Sequence, residues 1–222
     1  MLMEQARRDI VDYGKKLISD GMTNGTTGNI SIFDRKEGLM AISPSGMPYQ
    51  ETKPSDIVIM DLDGNIVEGD RKPSSEHALH TIFYRKRQDV NAIVHCHSIY
   101  CTTLACLGEP LRAVHYQLAF AGVSELPLVP YYTYGTPELA EAAGKAIGDK
   151  AKALLLANHG MCALESDIKK AYDLALSCEW CARLQYMTEA VGRPHILTNE
   201  EMEIAIEKFQ GYGQKDMPSD RS

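Results

Sequence analysis

His95, Cys96 and His97 close the apolar run Asn91-Ala92-Ile93-Val94, and this His-x-His constrains the chain more than any other stretch. Side chains alternate faces along a β-strand, so a strand over 91–97 turns both imidazoles to one side and Cys96 to the other. Two imidazoles side by side at the mouth of a strand pack poorly in a core. They suit a divalent transition metal, which takes neutral imidazole nitrogen readily. A lone His-x-His is only moderately specific, so the metal reading needs further ligands.

The rest of the chain mixes strands and helices. Ala6, Ile10, Tyr13 and Leu17 recur at helical spacing over 4–20, and Gly21 is a C-terminal stop. The turn-rich run Asn24-Gly25-Thr26-Thr27-Gly28-Asn29 opens into a strand at Ile30-Ser31-Ile32-Phe33. Further strands are expected at 39–43 and 57–61, with Asp63-Gly64-Asn65 turning a hairpin toward Ile66-Val67. Helices are expected at 75–87, 99–107, 136–148 and 167–191, and a wholly apolar strand at 153–157. Thr198-Asn199-Glu200-Glu201 is a capping box that starts a last helix. Hairpin-type turns dominate the first third. The expected fold is therefore α/β: a single domain over 1–222 with a central, mostly antiparallel β-sheet flanked by helices, and a flexible tail from about 211.

Charge and composition exclude several classes. Net charge is −7 with no Lys/Arg run, which argues against a nucleic-acid surface. No segment approaches the ~20 apolar residues of a membrane span, and the charged start (Glu4, Arg7, Arg8, Asp9) is no signal peptide. Six cysteines without disulfide-framework spacing fit free thiols in a reducing cytoplasm.

Three residues offer to complete a metal centre. His159 follows the apolar strand and precedes Gly160, where a strand delivers a side chain to a rim. Glu76 lies at a helix start after Pro73-Ser74-Ser75, and His80 shares its face one turn on. Alone, each has a plainer reading: a hydrogen-bonded core histidine, or a glutamate that complements the helix dipole.

Taken together, the motifs Asn24-Gly25-Thr26-Thr27-Gly28-Asn29-Ile30-Ser31, Ser43-Pro44-Ser45-Gly46, Pro73-Ser74-Ser75-Glu76, His95-Cys96-His97, His115-Tyr116 and Asn158-His159-Gly160 occur in the order and spacing of a known family. The chain resembles the class II aldolase and epimerase superfamily, in its L-fuculose-1-phosphate aldolase branch, from about residue 4 to Phe209-Gln210-Gly211-Tyr212-Gly213. The resemblance implies one zinc per subunit, held by Glu76, His95, His97 and His159, with His80 structural. It implies a phosphate site from Gly28, Asn29, Ser45, Gly46, Ser74 and Ser75. The chemistry of those loops agrees, since glycine N–H groups, hydroxyls and a helix start all favour anions. Glu76, where related epimerases carry Asp, points to an aldolase with Glu76 as acid/base and Tyr116 handling the aldehyde oxygen's proton. Tyr134 stands where fuculose enzymes have a Phe lining the aldehyde pocket, and Tyr212 resembles a tyrosine that covers the site. The implied reaction is reversible cleavage of a ketose 1-phosphate, first L-fuculose 1-phosphate, to dihydroxyacetone phosphate and L-lactaldehyde. The implied assembly is a homotetramer with sites between subunits. Alternatives are 5-deoxyribulose 1-phosphate, methylthioribulose 1-phosphate or a ribulose-phosphate 4-epimerase, and, without catalysis, an adducin-head-like scaffold. The scaffold would be expected to lose ligands that are all present here.

Two other signals are set aside. Cys178-Glu179-Trp180-Cys181 falls inside a helical pattern and reads as two buried helix cysteines. A Schiff-base aldolase needs a desolvated lysine, and Lys152, at the start of the apolar strand, is weak support for one.

Overall fold

The computed structural model describes residues 1–209 and 211. The tail expected over 211–222 and Tyr212 lie outside the described residues, Gly211 excepted. Alternation in the sequence becomes a three-layer arrangement. Strands β1 (Asn29–Asp34), β2 (Leu39–Ile42), β3 (Val58–Asp61), β4 (Ile66–Glu68) and β5 (Ala92–Cys96) supply the first half of an eight-stranded sheet. β8 (Leu128–Val129), β9 (Ala153–Leu156) and β10 (Gly160–Glu165) complete it in the order β4-β3-β2-β1-β5-β10-β9-β8. Among the described residues only the β8–β9 pair is parallel, so the sheet is mostly antiparallel. β6 (Leu111–Arg112) and β7 (Glu125–Leu126) form a separate two-stranded ribbon.

Helices cover both faces because both faces of the central strands are apolar. Ala92, Val94 and Cys96 of β5 pack in one core with α1 (Glu4–Ser19), α3 (Ile99–Leu107) and α5 (Ile168–Val191). Ile93 of β5, Met40 of β2 and Leu154 of β9 pack in the other with α2 (His77–Lys86) and α4 (Pro137–Ala146). Helix starts are capped as their sequences predict: Thr136 Oγ1 accepts from Leu139 N, and Asp167 Oδ1 from Lys170 N. Thr198 and Glu201 form the capping box of α6 (Asn199–Phe209). Cys178 and Cys181 are buried, unpaired thiols in α5, and Lys152 is engaged by Glu165 at 2.6 Å. Among the described residues no helix is long and apolar enough to cross a membrane.

Several elements differ from the sequence reading, which also lacks the short strands β6, β7 and β8. The helix expected over 75–87 begins at His77, which leaves Glu76 as its N-cap residue with φ −99°. The strand expected over 91–97 ends at Cys96, so His97 sits just past it. β10 carries no strand signal in the sequence: Gly160-Met161-Cys162-Ala163 lacks the β-branched residues that mark a strand, yet it fills the sheet between β9 and β5.

Candidate active site

The fold brings Glu76, His95, His97 and His159 together, one ligand atom from each lying within 4.8 Å of the others. Strand parity explains the first pair. Ile93 faces α2 and α4, so His95 does too, while Cys96 is buried on the opposite side. The β9–β10 turn supplies His159 after Asn158, whose φ of 54° reverses the chain in three residues. The N-terminal end of α2 supplies Glu76. The three imidazoles meet edge to face, with centroids 5.0, 4.8 and 5.0 Å apart and planes 74–76° apart. His95 Nε2 is 3.1 Å from His97 Nε2 and 3.2 Å from Glu76 Oε2, and His159 Nε2 is 3.4 Å from Glu76 Oε1. Two glycines permit this crowding. A Cβ on Gly28 would lie 3.0 Å from the His95 carbonyl oxygen, and one on Gly160 2.8 Å from His97 Cδ2.

Electrostatics couple the four groups. Burial alone would push the Glu76 carboxyl up, but the His95 imidazole beside it, His159 and an Asn29 N–H together outweigh burial. The carboxyl is held well below the usual carboxylate range. Burial disfavours charge on His95 as well, yet the Glu76 carboxylate and the Cys162 thiol raise it well above an ordinary histidine. Burial, then His95, pushes His97 down to about 3 and His159 to about 4.

The donor set fits a divalent metal. Glu76 Oε1 is buried without a hydrogen-bond partner, although buried polar atoms are normally satisfied. His95 Nδ1–H donates to the Met161 carbonyl at 2.9 Å, so Nε2 is the nitrogen turned to the cluster, and a metal bound there would displace its proton. Such an outer hydrogen bond commonly fixes the tautomer of a metal-ligating histidine.

The expected phosphate loops converge beside Glu76. Ser45 N bonds Lys72 O at 2.9 Å, and Ser74 N bonds Ser43 O at 3.0 Å, zipping the second loop to the third. Ile30 N donates to Ser43 Oγ at 3.2 Å, which ties in the first. Ser45, Gly46 and Ser75 are exposed, and Gly28 is half-buried. Asn29 and Ser74 behave differently. Both are buried, and their side chains serve Glu76: Asn29 Nδ2–H donates to Oε2 at 3.0 Å, and Ser74 Oγ accepts from Glu76 N at 3.2 Å. Register carries a clue to Asn29, which is paired directly across from His95, but register is not visible in sequence.

Tyr134 is exposed on the loop before α4. That loop lies against the third of the expected phosphate loops, since a Cβ on Gly135 would lie 2.9 Å from the Ser75 carbonyl oxygen. Tyr116 is not gathered with the ligands of its own chain. It opens a 3-10 turn, is 55% exposed, and contacts His115 and the parallel ring of Phe209, 6.0 Å away. His80 lies beyond the ligand cluster, bonded to Asn29 and Ser31.

Comparison with known proteins agrees with this architecture. Residues 8–186 match the family described as Class II Aldolase and Adducin N-terminal domain. The chain is 53% identical over 215 residues to the 5-deoxy-D-ribulose 1-phosphate aldolase of Bacillus thuringiensis serovar kurstaki, covering 97% of this chain and 100% of that protein. It is 40% identical over 207 residues to an Escherichia coli L-fuculose phosphate aldolase, covering 93% of this chain and 94% of the relative. A solved L-fuculose 1-phosphate aldolase superposes with a TM-score of 0.92 at 46% identity, covering 95% of this chain and 98% of the other.

Proposed function

Because the chain belongs to the class II aldolase and adducin family and is a class II aldolase, we propose that it cleaves 5-deoxyribulose 1-phosphate to dihydroxyacetone phosphate and acetaldehyde. The observation that carries this reading is the 53% identity, over the whole relative, to an aldolase named for that substrate, against 40% to a fuculose phosphate aldolase. It replaces L-fuculose 1-phosphate, the substrate favoured by the motifs alone. The Tyr134 departure from the fuculose pattern points the same way.

Glu76, His95, His97 and His159 would hold one divalent metal per chain, and a set of one carboxylate and three imidazoles favours zinc. When bound, the metal supplies Lewis-acid polarisation of the ketose oxygens. Backbone N–H groups of the Gly28–Asn29 loop and of Gly46, with the Ser45 and Ser75 hydroxyls, bind the 1-phosphate. Ser74 and the Asn29 side chain hold Glu76 beside it. As the C4 hydroxyl loses its proton, the C3–C4 bond breaks. Its electron pair stays on C3, and the C4 fragment leaves as the aldehyde. Glu76, which takes up a proton when the substrate binds, delivers it to C3 and completes dihydroxyacetone phosphate, while the C4 hydroxyl proton leaves through Tyr116 to solvent. Tyr116 manages the proton on the aldehyde oxygen from a neighbouring subunit of a homotetramer, with Tyr134 and Tyr212 at the aldehyde end. Unpaired thiols fit a reducing, cytoplasmic setting.

A substrate panel tests the reading. Zinc-loaded protein is assayed with 5-deoxyribulose, L-fuculose and methylthioribulose 1-phosphates and with ribulose 5-phosphate. The expected kcat/KM is highest for 5-deoxyribulose 1-phosphate, by about tenfold or more, the scale on which a pocket separates substrates differing by small groups. Dialysis against a chelator should abolish cleavage and zinc restore it. A preference for L-fuculose 1-phosphate would return the substrate to the motif-based expectation.

A further inference from the structure

Behind the ligand cluster, β1 and α2 carry further polar residues, Ser31, His80 and Tyr84, that no step above uses. Two residues along a strand advance about 6.6 Å, and four along a helix about 6.0 Å. Asn29 and Ser31 of β1 therefore keep step with Glu76, His80 and Tyr84 on one stripe of α2. All five are almost fully buried, at 6%, 0%, 6%, 0% and 1% exposure. In such a place every proton must be assigned to a partner.

The assignment has one solution. The Glu76 carboxylate only accepts, so the Asn29 atom 3.0 Å from Oε2 is Nδ2–H. Asn29 Oδ1 then faces His80 and also only accepts, so His80 Nε2 carries the ring proton. Burial pushes His80 down to about 3 and keeps it neutral, so Nδ1 is a bare lone pair. It accepts the Ser31 hydroxyl proton at 2.6 Å. With its own proton given away, Ser31 Oγ accepts from Tyr84 O–H at 2.6 Å. The chain runs one way, from Tyr84 through Ser31, His80 and Asn29 to Glu76.

We propose that His80 is a positioning residue for Glu76: its Nε2–H holds the Asn29 amide in the orientation that presents an N–H to the carboxylate. The proposal rests on Glu76 being the carboxylate of the aldolase site. With the opposite tautomer, the Asn29 amide would turn over and set its oxygen against Glu76 Oε2, two acceptors face to face. As wired, Oε2 is anchored and Oε1, which has no hydrogen-bond partner, is left toward His159. His80 thus extends the site to a residue that touches neither metal nor substrate.

Full-length zinc-loaded enzyme and its variants test this. His80→Leu, which keeps bulk but not the donor, should lower kcat by ~10–100-fold, the range for lost outer-shell partners. KM should stay within about twofold, with zinc still bound. His80→Gln, whose amide N–H can still reach Asn29, should recover most of the loss. Tyr84→Phe leaves the Ser31–His80 bond and should stay within about threefold of wild type, an ordinary effect of a link two bonds removed. Histidine 15N spectra should show His80 as the Nε2–H tautomer. Asn29 side-chain amide protons should be protected from exchange in wild type and His80→Gln and freed in His80→Leu. If His80→Leu does not fold, Ser31→Ala takes its place, mixing the tautomers and lowering kcat. Wild-type kcat in a folded His80→Leu or Ser31→Ala enzyme, no recovery in His80→Gln, or an Nδ1–H tautomer would overturn the proposal. If wild type cleaves no ketose phosphate, the functional reading fails, while the tautomer and the amide exchange still decide the wiring.

Discussion

Gly160→Ala should injure both the stability of the sheet and the metal centre, through a single methyl. Gly160 opens β10 opposite Leu156, with β5 on its other side. Its φ does not lie in the left-handed region, so alanine meets no backbone obstacle there. The obstacle is space. An added Cβ lies 2.8 Å from His97 Cδ2 and closer still to the Cys96 carbonyl oxygen. To regain an ordinary 3.4 Å contact the ring must retreat by about 0.6 Å. The carbonyl belongs to a fully buried central strand that cannot move alone. Overpacking of this kind costs about 1–3 kcal/mol. In a domain this size each kcal/mol is worth about 2–4 °C, so Tm of the metal-free protein should fall by about 2–12 °C. Because His97 is the side chain displaced, metal affinity should fall too, by about 10–100-fold. Calorimetry on chelator-treated protein and competition with a chromophoric chelator measure the two effects. Gly192→Ala is the control, since nothing lies within 4 Å of its Cβ position. A Gly160→Ala protein with wild-type Tm and wild-type zinc affinity would refute the packing argument.

Glu76→Gln keeps the side chain's size but cannot exchange a proton. Turnover should drop by ~10²–10⁴-fold while three imidazoles retain zinc, and near-normal turnover would assign the proton to another group. Tyr116→Phe should slow cleavage without changing zinc content. Mixing its chains with Glu76→Gln chains should restore activity in hybrid oligomers if neighbouring subunits share a site, and no recovery would return Tyr116 to its own chain. Metal-free protein should lose stability as pH falls from about 6.5 toward 4, followed by urea unfolding. His80, His97 and His159 stay neutral when folded, with values pushed down to about 3, 3 and 4, but protonate once unfolded near 6.5. Each contributes a slope of about 1.4 kcal/mol per pH unit in that window. His95, raised in the fold, works oppositely: its contribution is present below 6.5 and lost as pH rises through its folded value. Glu76, depressed in the fold, adds stability above about 4.5 that is lost at lower pH. A urea midpoint equal at pH 7 and 5 would contradict the assignment.

Periodicity in the sequence determines which way a side chain faces within its own element, and that was enough for much of this protein. The alternation around Ile93 put His95 and His97 on one face, the spacing of Ile10 and Leu17 drew α1, and Thr198 with Glu201 started α6. What faces that side chain across the gap is a matter of register and strand order, which local pattern does not encode. Sequence placed Asn29 among the phosphate loops, but pairing of Asn29 with His95 turned its amide onto Glu76. Sequence put His80 one turn from Glu76, but only the close match of two strand residues to one helical turn threaded it to Ser31 and Asn29. β10 is hidden from local pattern because its glycine, methionine, cysteine and alanine carry little strand preference. Burial between β5 and β9 makes it a strand, since its backbone groups have no water to bond and must pair with their neighbours.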